Sequence, residues 1–142
     1  LSHAGVRVLD IDLYDLSIRI LEDRGIFEQI LEVEVETEKA ELKELLQGVL
    51  DPQAHLIPEI ARRIEEVPHD VIFLSGVGEV YPYLRSHNVL NNLQSTAKTK
   101  PTVLFFPGEY RHSLEQGASL ELFGLLHDDK YYRAFNIYEI QV

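Results

Sequence analysis

Residues 71–110 read VIFLSGVGEVYPYLRSHNVLNNLQSTAKTKPTVLFFPGEY. Val71–Leu74 is an apolar run opened by His69-Asp70 and closed by Ser75-Gly76. Such a run marks a strand buried on both faces. Thr102–Phe106 is a second one, closed by Pro107-Gly108. Between them a helical pattern opens at Tyr81-Pro82, and Pro82 suits a first helical turn. Strand, glycine loop, helix and strand make a βαβ unit, with a parallel pair and a right-handed crossover. The turns after the two strands then open on one edge of the sheet, the C-terminal edge, where open α/β sheets usually bind ligands. Gly76, Gly78, Glu79, Arg85, Pro107, Gly108, Glu109 and Tyr110 are therefore expected to gather there as a ligand-binding or structural rim.

Upstream, VRVLDIDL at Val6–Leu13 reads as a strand whose apolar phase shifts at Leu9. Asp10 and Asp12 are read as polar residues at the strand end, since oxygen-ligand metal sites need more converging carboxylates than two. Asp15 is expected to cap a helix that buries Leu16, Ile20 and Leu21 and stops at Gly25. Ile26–Leu31 continues with a helical turn or two. Glu32–Glu38 is an acidic stretch open to three readings: helix end, short edge strand or loop. After Thr37, Leu42, Leu45, Leu46 and Val49 fall at i, i+3, i+4 and i+7, the apolar stripe of an amphipathic helix. Glu38, Glu41 and Glu44 lie on its other face, a solvated face and a candidate contact for a partner. Asp51-Pro52 caps the next segment, where Pro58 demands either a kink or a new helix at Ile57. Arg62 and Arg63 are read as complements to that helix's dipole rather than as phosphate ligands.

Downstream, Arg111–Gly117 reads as a polar loop and Ser119–Leu126 as a short apolar stretch weakened by Gly124. His127-Asp128-Asp129-Lys130 reads as a turn. Tyr131–Ile140 has the aromatic and β-branched content of a last strand. The expected fold is α/β: a three-layer domain over residues 1–142, with a mainly parallel, Rossmann-like sheet flanked by helices.

A chain of 142 residues is long enough for one domain with its own core. The 45% hydrophobic and 26% charged fractions are ordinary for a soluble globular protein. No apolar run approaches the roughly 18 residues of a membrane helix, and no signal peptide is expected. The absence of Cys removes disulfides, thiolate ligands and thiol nucleophiles, and it fits a cytoplasmic protein. The chain also holds no Met, so it is read as open to truncation at its N-terminus. A formal charge of −11 disfavours broad nucleic-acid binding and suits a basic protein partner.

The chemical motifs are fragmentary. SGVGEV lacks the Lys and Ser/Thr of a P-loop, and Tyr81 stands where a dinucleotide loop needs its third glycine. A triad of Ser75 or Ser86, His87 and Glu79 can be drawn, but Gly-x-Ser-x-Gly is absent. The six His residues show no His-x-x-x-His spacing, so no metal site and no cofactor are expected. Arg85 follows the glycine loop closely enough to pair with Glu79 or Glu109 and tie the loops together.

VIFLSGVGEVYPYLRSHNVLNNLQ, then PTVLFFPGEY, then LELFGLLHDDKYYRAF closely resemble the BrxB family of bacteriophage-exclusion (BREX) defence systems. The motifs span about residues 71–135, and VRVLDIDLYDLSIRILEDRGIFEQI is similar more loosely. The family generally carries a further N-terminal α/β segment. The resemblance implies a small cytoplasmic component of a system that also holds an ATPase, an alkaline-phosphatase-like protein and a DNA methyltransferase. It brings no catalytic residue with it. Two functions follow as expectations. One is a non-catalytic adaptor or assembly subunit, whose partner is the ATPase or the phosphatase-like subunit. The other is a nucleotide-binding or hydrolytic domain with its site at the Gly76–Glu79 and Pro107–Tyr110 rim.

Overall fold

The computed structural model describes residues 4–113, 117–128 and 134–140. Within the chain, residues 1–105 and 106–142 form two compact units.

The first unit is built on three parallel strands, β1 (Val8–Asp12), β2 (Val71–Ser75) and β3 (Thr102–Leu104), with β2 in the middle. Val8 pairs with Val71 and Asp12 with Ser75, while Ile72 pairs with Thr102 and Leu74 with Leu104. The parallel pairing expected of residues 71–74 and 102–106 is present, though β3 ends at Leu104. Partners in register point to the same face, so Leu9, Ile11, Ile72 and Leu74 form one surface, and all four are buried. Expected burial on both faces is not what β2 shows, because its residues alternate between buried and half-buried. The opposite face carries exposed Asp10 and half-buried Val8, Val71 and Phe73. There Phe73 meets Phe105 edge to face at 5.1 Å between ring centroids. The phase shift expected at Leu9 is absent: β1 alternates regularly and simply stops at Asp12, where the helix begins.

Helix α1 (Leu13–Asp23) buries Leu13, Leu16, Ile20 and Leu21. It ends as expected at Gly25 (φ +68°), where Gly25 N–H donates to the Glu22 carbonyl and Ile26 N–H to that of Leu21. That pair of bonds is a Schellman closure, and it favours glycine in the left-handed position. Helix α2 (Phe27–Glu34) takes in the first part of the acidic stretch, which therefore resolves as helix end and turn. Helix α3 (Lys39–Val49) buries Leu42 and Leu46, while Leu45 is left exposed. The choice posed by Pro58 resolves as a new helix. A wide turn over Pro52–Leu56, capped by Asp51 Oδ1 on Ala54 N at 2.7 Å, leads into α4 (Ile57–Glu66). Leu56 and Ile60 are fully buried from it.

The helix between β2 and β3 starts later than the sequence suggests. Helix α5 covers Ser86–Leu93, and residues 77–84 form successive turns, with a cis Tyr81–Pro82 peptide. Buried Val77, Val80 and Leu84 are spaced three and four apart, which imitates a helical stripe. Their backbone closes locally instead, from Val80 N to the Gly76 carbonyl and from Leu84 N to the Val80 carbonyl.

The second unit is an antiparallel meander of β4 (Gly108–Ser113), β5 (Gly117–Leu122) and β6 (Leu126–Asp128). Much of the expected polar loop at Arg111–Gly117 is therefore strand, with residues 114–116 outside the described set. Tyr110 pairs with Leu120 and Leu122 with Leu126, and Leu120 and Leu122 are buried. Gly124 does not weaken a strand; with Phe123 it supplies two positive φ values at the turn. His127 and Asp128 belong to β6 rather than to a turn. The last strand expected at Tyr131–Ile140 is absent over residues 134–140, where a short 3₁₀ turn covers Ile137–Glu139; residues 131–133 lie outside the described set. Asn136 holds that turn through its side-chain oxygen on Tyr138 N at 3.2 Å, a local alternative to strand pairing.

Candidate functional site

The C-terminal edge of the parallel sheet is where the sequence placed a rim. β1 delivers Asp12 there in an extended conformation (φ −83°, ψ 122°), directly before α1. Its Oδ1 accepts from Tyr14 N at 2.8 Å and Asp15 N at 3.0 Å. Its Oδ2 accepts from the Ser75 hydroxyl at 3.2 Å, joining the ends of β1 and β2. Asp12, not Asp15, is the cap, because only the residue before the first helical turn can reach those N–H groups. Gly76 follows with φ +78°, and a Cβ there would stand 2.9 Å from Asp12 Oδ1 and 3.1 Å from Leu13 N and Tyr14 N. The glycine lets the turn after β2 close against the start of α1.

The glycine loop is packed from within. Gly76 carbonyl accepts from Glu79 N at 3.1 Å and Val80 N at 3.2 Å. Gln47 of α3 donates to the Pro82 carbonyl at 3.0 Å. Gly78 is half-buried and Glu79 exposed. Arg85 occupies the cap position of α5 and is exposed, and no ion pair links it to Glu79 among the described residues. Asp12, Ser75 and Gly76 join the ends of β1 and β2.

The remaining rim residues belong to the second unit, and local contacts account for each. A Cβ on Gly108 would overlap the Glu121 carbonyl oxygen across the β4–β5 pair. Glu109 accepts from the Arg111 guanidinium at 2.9 Å, and Glu121 lies 3.3 Å from the same group. Tyr110 donates its hydroxyl to the Ala134 carbonyl at 2.8 Å. The Pro107 carbonyl accepts from Phe123 N at 2.8 Å.

Of the residues in the drawn triad, Ser75 donates to Asp12, Ser86 begins α5, His87 is buried and Glu79 is exposed. His69 is buried too; its Nδ1–H donates to the Val67 carbonyl at 2.7 Å, leaving buried Nε2 without a partner among the described residues. Arg62 is held by Glu59 at 2.6 Å and by Glu66, and Arg63 by Glu59 at 3.3 Å. Hydrogen bonding from Arg62 is the main reason the Glu59 carboxyl titrates below its ordinary value. Among the described residues no three potential ligands cluster as a metal site, and no helix is long and apolar enough to cross a membrane.

Two polar features escaped sequence reading. Arg7 grips Asp70 at the opposite edge of the sheet, at 3.0 and 2.8 Å through the guanidinium and 2.9 Å through its backbone N–H. Nothing local in the sequence joins residues 63 positions apart. Asp12 left a signal, a short acceptor immediately before a helical pattern, but Asp15 offered the same chemistry. Glu38, Glu41 and Glu44 are exposed, as their spacing suggested.

Comparison with known proteins gives a consistent result. The family described as "BREX protein BrxB" matches residues 9–137. A BREX protein BrxB from Bacillus cereus (strain H3081.97) is 33% identical over 139 residues, covering 96% of this chain and 69% of the relative. A BREX protein BrxB from Escherichia coli O9:H4 (strain HS) is 29% identical over 127 residues, covering 89% of this chain and 60% of the relative. No solved structure matches.

Proposed function

This chain belongs to the BrxB family of BREX antiphage defence, and from that premise we propose that it serves the system as a non-catalytic adaptor. One observation carries the reading: the chain occupies its own anion-binding edge. A phosphate at this edge would need backbone donors at the start of α1 and in the loop after β2. The Asp12 carboxylate takes those of Tyr14 and Asp15, and the Gly76 carbonyl takes those of Glu79 and Val80. An incoming phosphate would also meet the Asp12 charge. Membership in a BREX system implies other BREX components as neighbours. In this reading the contact is with the ATPase or the phosphatase-like subunit, in the cytoplasm, through acidic surface that includes Glu38, Glu41 and Glu44.

The second reading makes β1, β2 and β3 a Rossmann-like half with a nucleotide or hydrolytic site at the edge. Gly76, Gly78, Glu79 and Arg85 would carry it. It draws support from the parallel order of the strands and the glycine loop after the central one. Purified protein assayed for nucleotide hydrolysis and for co-purification with each BREX component separates the two. The adaptor reading expects co-purification without turnover. Turnover by the isolated protein that disappears in Glu79→Gln, with assembly intact, would overturn it.

A further inference from the structure

A short surface helix normally turns its apolar stripe toward the core. Helix α2 does so only in part: it packs beside α1 with Phe27 and Ile30 half-buried, and none of its residues is fully buried. Phe27, Leu31 and Val35 recur at i, i+4 and i+8 and so form one stripe. Exposure grows along it, from half-buried Phe27 to Leu31 at 42% and Val35 at 86%. Glu28 and Glu32 border the stripe on one side and Glu34 on the other, by helical spacing, and all three are exposed. Between residues 28 and 44 stand seven glutamates and two lysines, the densest negative charge in the chain.

We propose that the α2 stripe is a docking site for a basic amphipathic segment of a partner protein, with apolar anchors seated on Leu31 and Val35 and Lys or Arg residues facing the bordering glutamates. The inference rests on the adaptor reading and names its surface. Charge decides among occupants. A second copy would set glutamates against glutamates, and nucleic acid or an anionic membrane would be repelled. A helix with apolar positions at i and i+4 fits the exposed stripe, and flanking cations would steer it on.

The test measures binding of the full chain to each purified component of a BREX system, by titration at low and physiological salt. Wild type is compared with Leu31→Gln/Val35→Gln and with Glu28→Lys/Glu32→Lys/Glu34→Lys. One component should bind wild type, at least tenfold more tightly than the apolar double variant at both salt concentrations. The charge-reversal variant should associate more slowly and lose most of the salt dependence. A component that binds all three proteins alike overturns this surface and leaves the adaptor reading standing. No binding by any component overturns both. Sedimentation showing a wild-type dimer that the apolar double variant abolishes would assign the stripe to a second copy and overturn the proposal. So would unfolding of that variant, because it would mean the stripe is packed within the chain.

Discussion

The corner at Asp12–Gly76 and helix α2 invert the usual pattern of polar and apolar surface. The corner is polar, and its donors and acceptors are matched within the chain. The helix has apolar side chains, none of them fully buried, and the stripe ends at Val35, 86% exposed. A glycine loop beside a strand end attracts a catalytic interpretation. Here its geometry explains chain closure: Gly76 must be small and left-handed for β2 to turn against α1. The α2 stripe attracts no motif search, yet it leaves a need unmet within its own unit. The proposed adaptor role thus points to exposed apolar surface, and stability to the matched polar corner.

If that contrast holds, the corner is where a small change does most harm. Gly76→Ala adds a Cβ where backbone nitrogens of α1 stand at 3.1 Å and imposes an unfavourable φ. Strain and close approach together should cost about 2–4 kcal/mol. Urea denaturation followed by circular dichroism reads this directly, and an unchanged midpoint would break the comparison at its first term. Asp12→Ala should cost less, about 1–2 kcal/mol, the usual worth of a helix cap. Asp12→Asn keeps an oxygen for Tyr14 N and Asp15 N, so most of that loss should return. If Asn is as harmful as Ala, the charge rather than the cap holds the corner.

The helix should behave in the opposite way. Val35→Gln changes a side chain that is 86% exposed and should move folding stability by no more than about 0.5 kcal/mol, while Leu31→Gln, at 42% exposure, should cost about 1 kcal/mol, still less than Gly76→Ala. The same pair is expected to lose partner binding. A large drop in stability without a partner would erase the distinction between the two regions.

How far the sequence disclosed these regions depended on the distance over which each signal acts. The apolar run at residues 71–74 and its parallel pairing with residues 102–104 were legible because β-branched and aromatic side chains bounded by turn residues announce strands. Gly25 was legible for the same local reason. The start of α5 was not, because Val77, Val80 and Leu84 meet the core from consecutive turns at helical spacing. The strand β4 was hidden by polarity: Glu109 and Arg111 pair on its surface and leave little alternation to read. Among the residues proposed for one rim, Tyr110 bonds to Ala134, 24 positions on, a partner that no nearby pattern announces. The exposure of α2 could not be read at all, since an apolar stripe looks the same whether a helix buries it or presents it.

The smallest expected effect concerns the sheet's other edge. Asp70 lies there in a bidentate pair with Arg7, with side-chain exposures of 39% and 59%. The Arg7 guanidinium hydrogen bonds hold the Asp70 carboxyl well below its ordinary value, helped by the Arg7 backbone N–H and, more weakly, by Lys100. A carboxyl depressed in the folded state adds stability above its unfolded pKa, about 3.9, and that contribution fades as pH falls further. Water and salt screen an exposed pair, so the contribution should be small and should shrink with added salt. Melting temperatures from pH 7 to pH 2 should therefore place Asp70→Asn slightly below wild type at neutral pH, by a few degrees at most. The two curves should converge below about pH 4, as wild-type Asp70 loses its advantage. Divergence instead of convergence on the acid side would mean that Asp70 is not depressed by Arg7. A neutral-pH loss as large as that of Gly76→Ala would show that a solvent-exposed charge pair, rather than the glycine closure, is what chiefly fastens the sheet's ends.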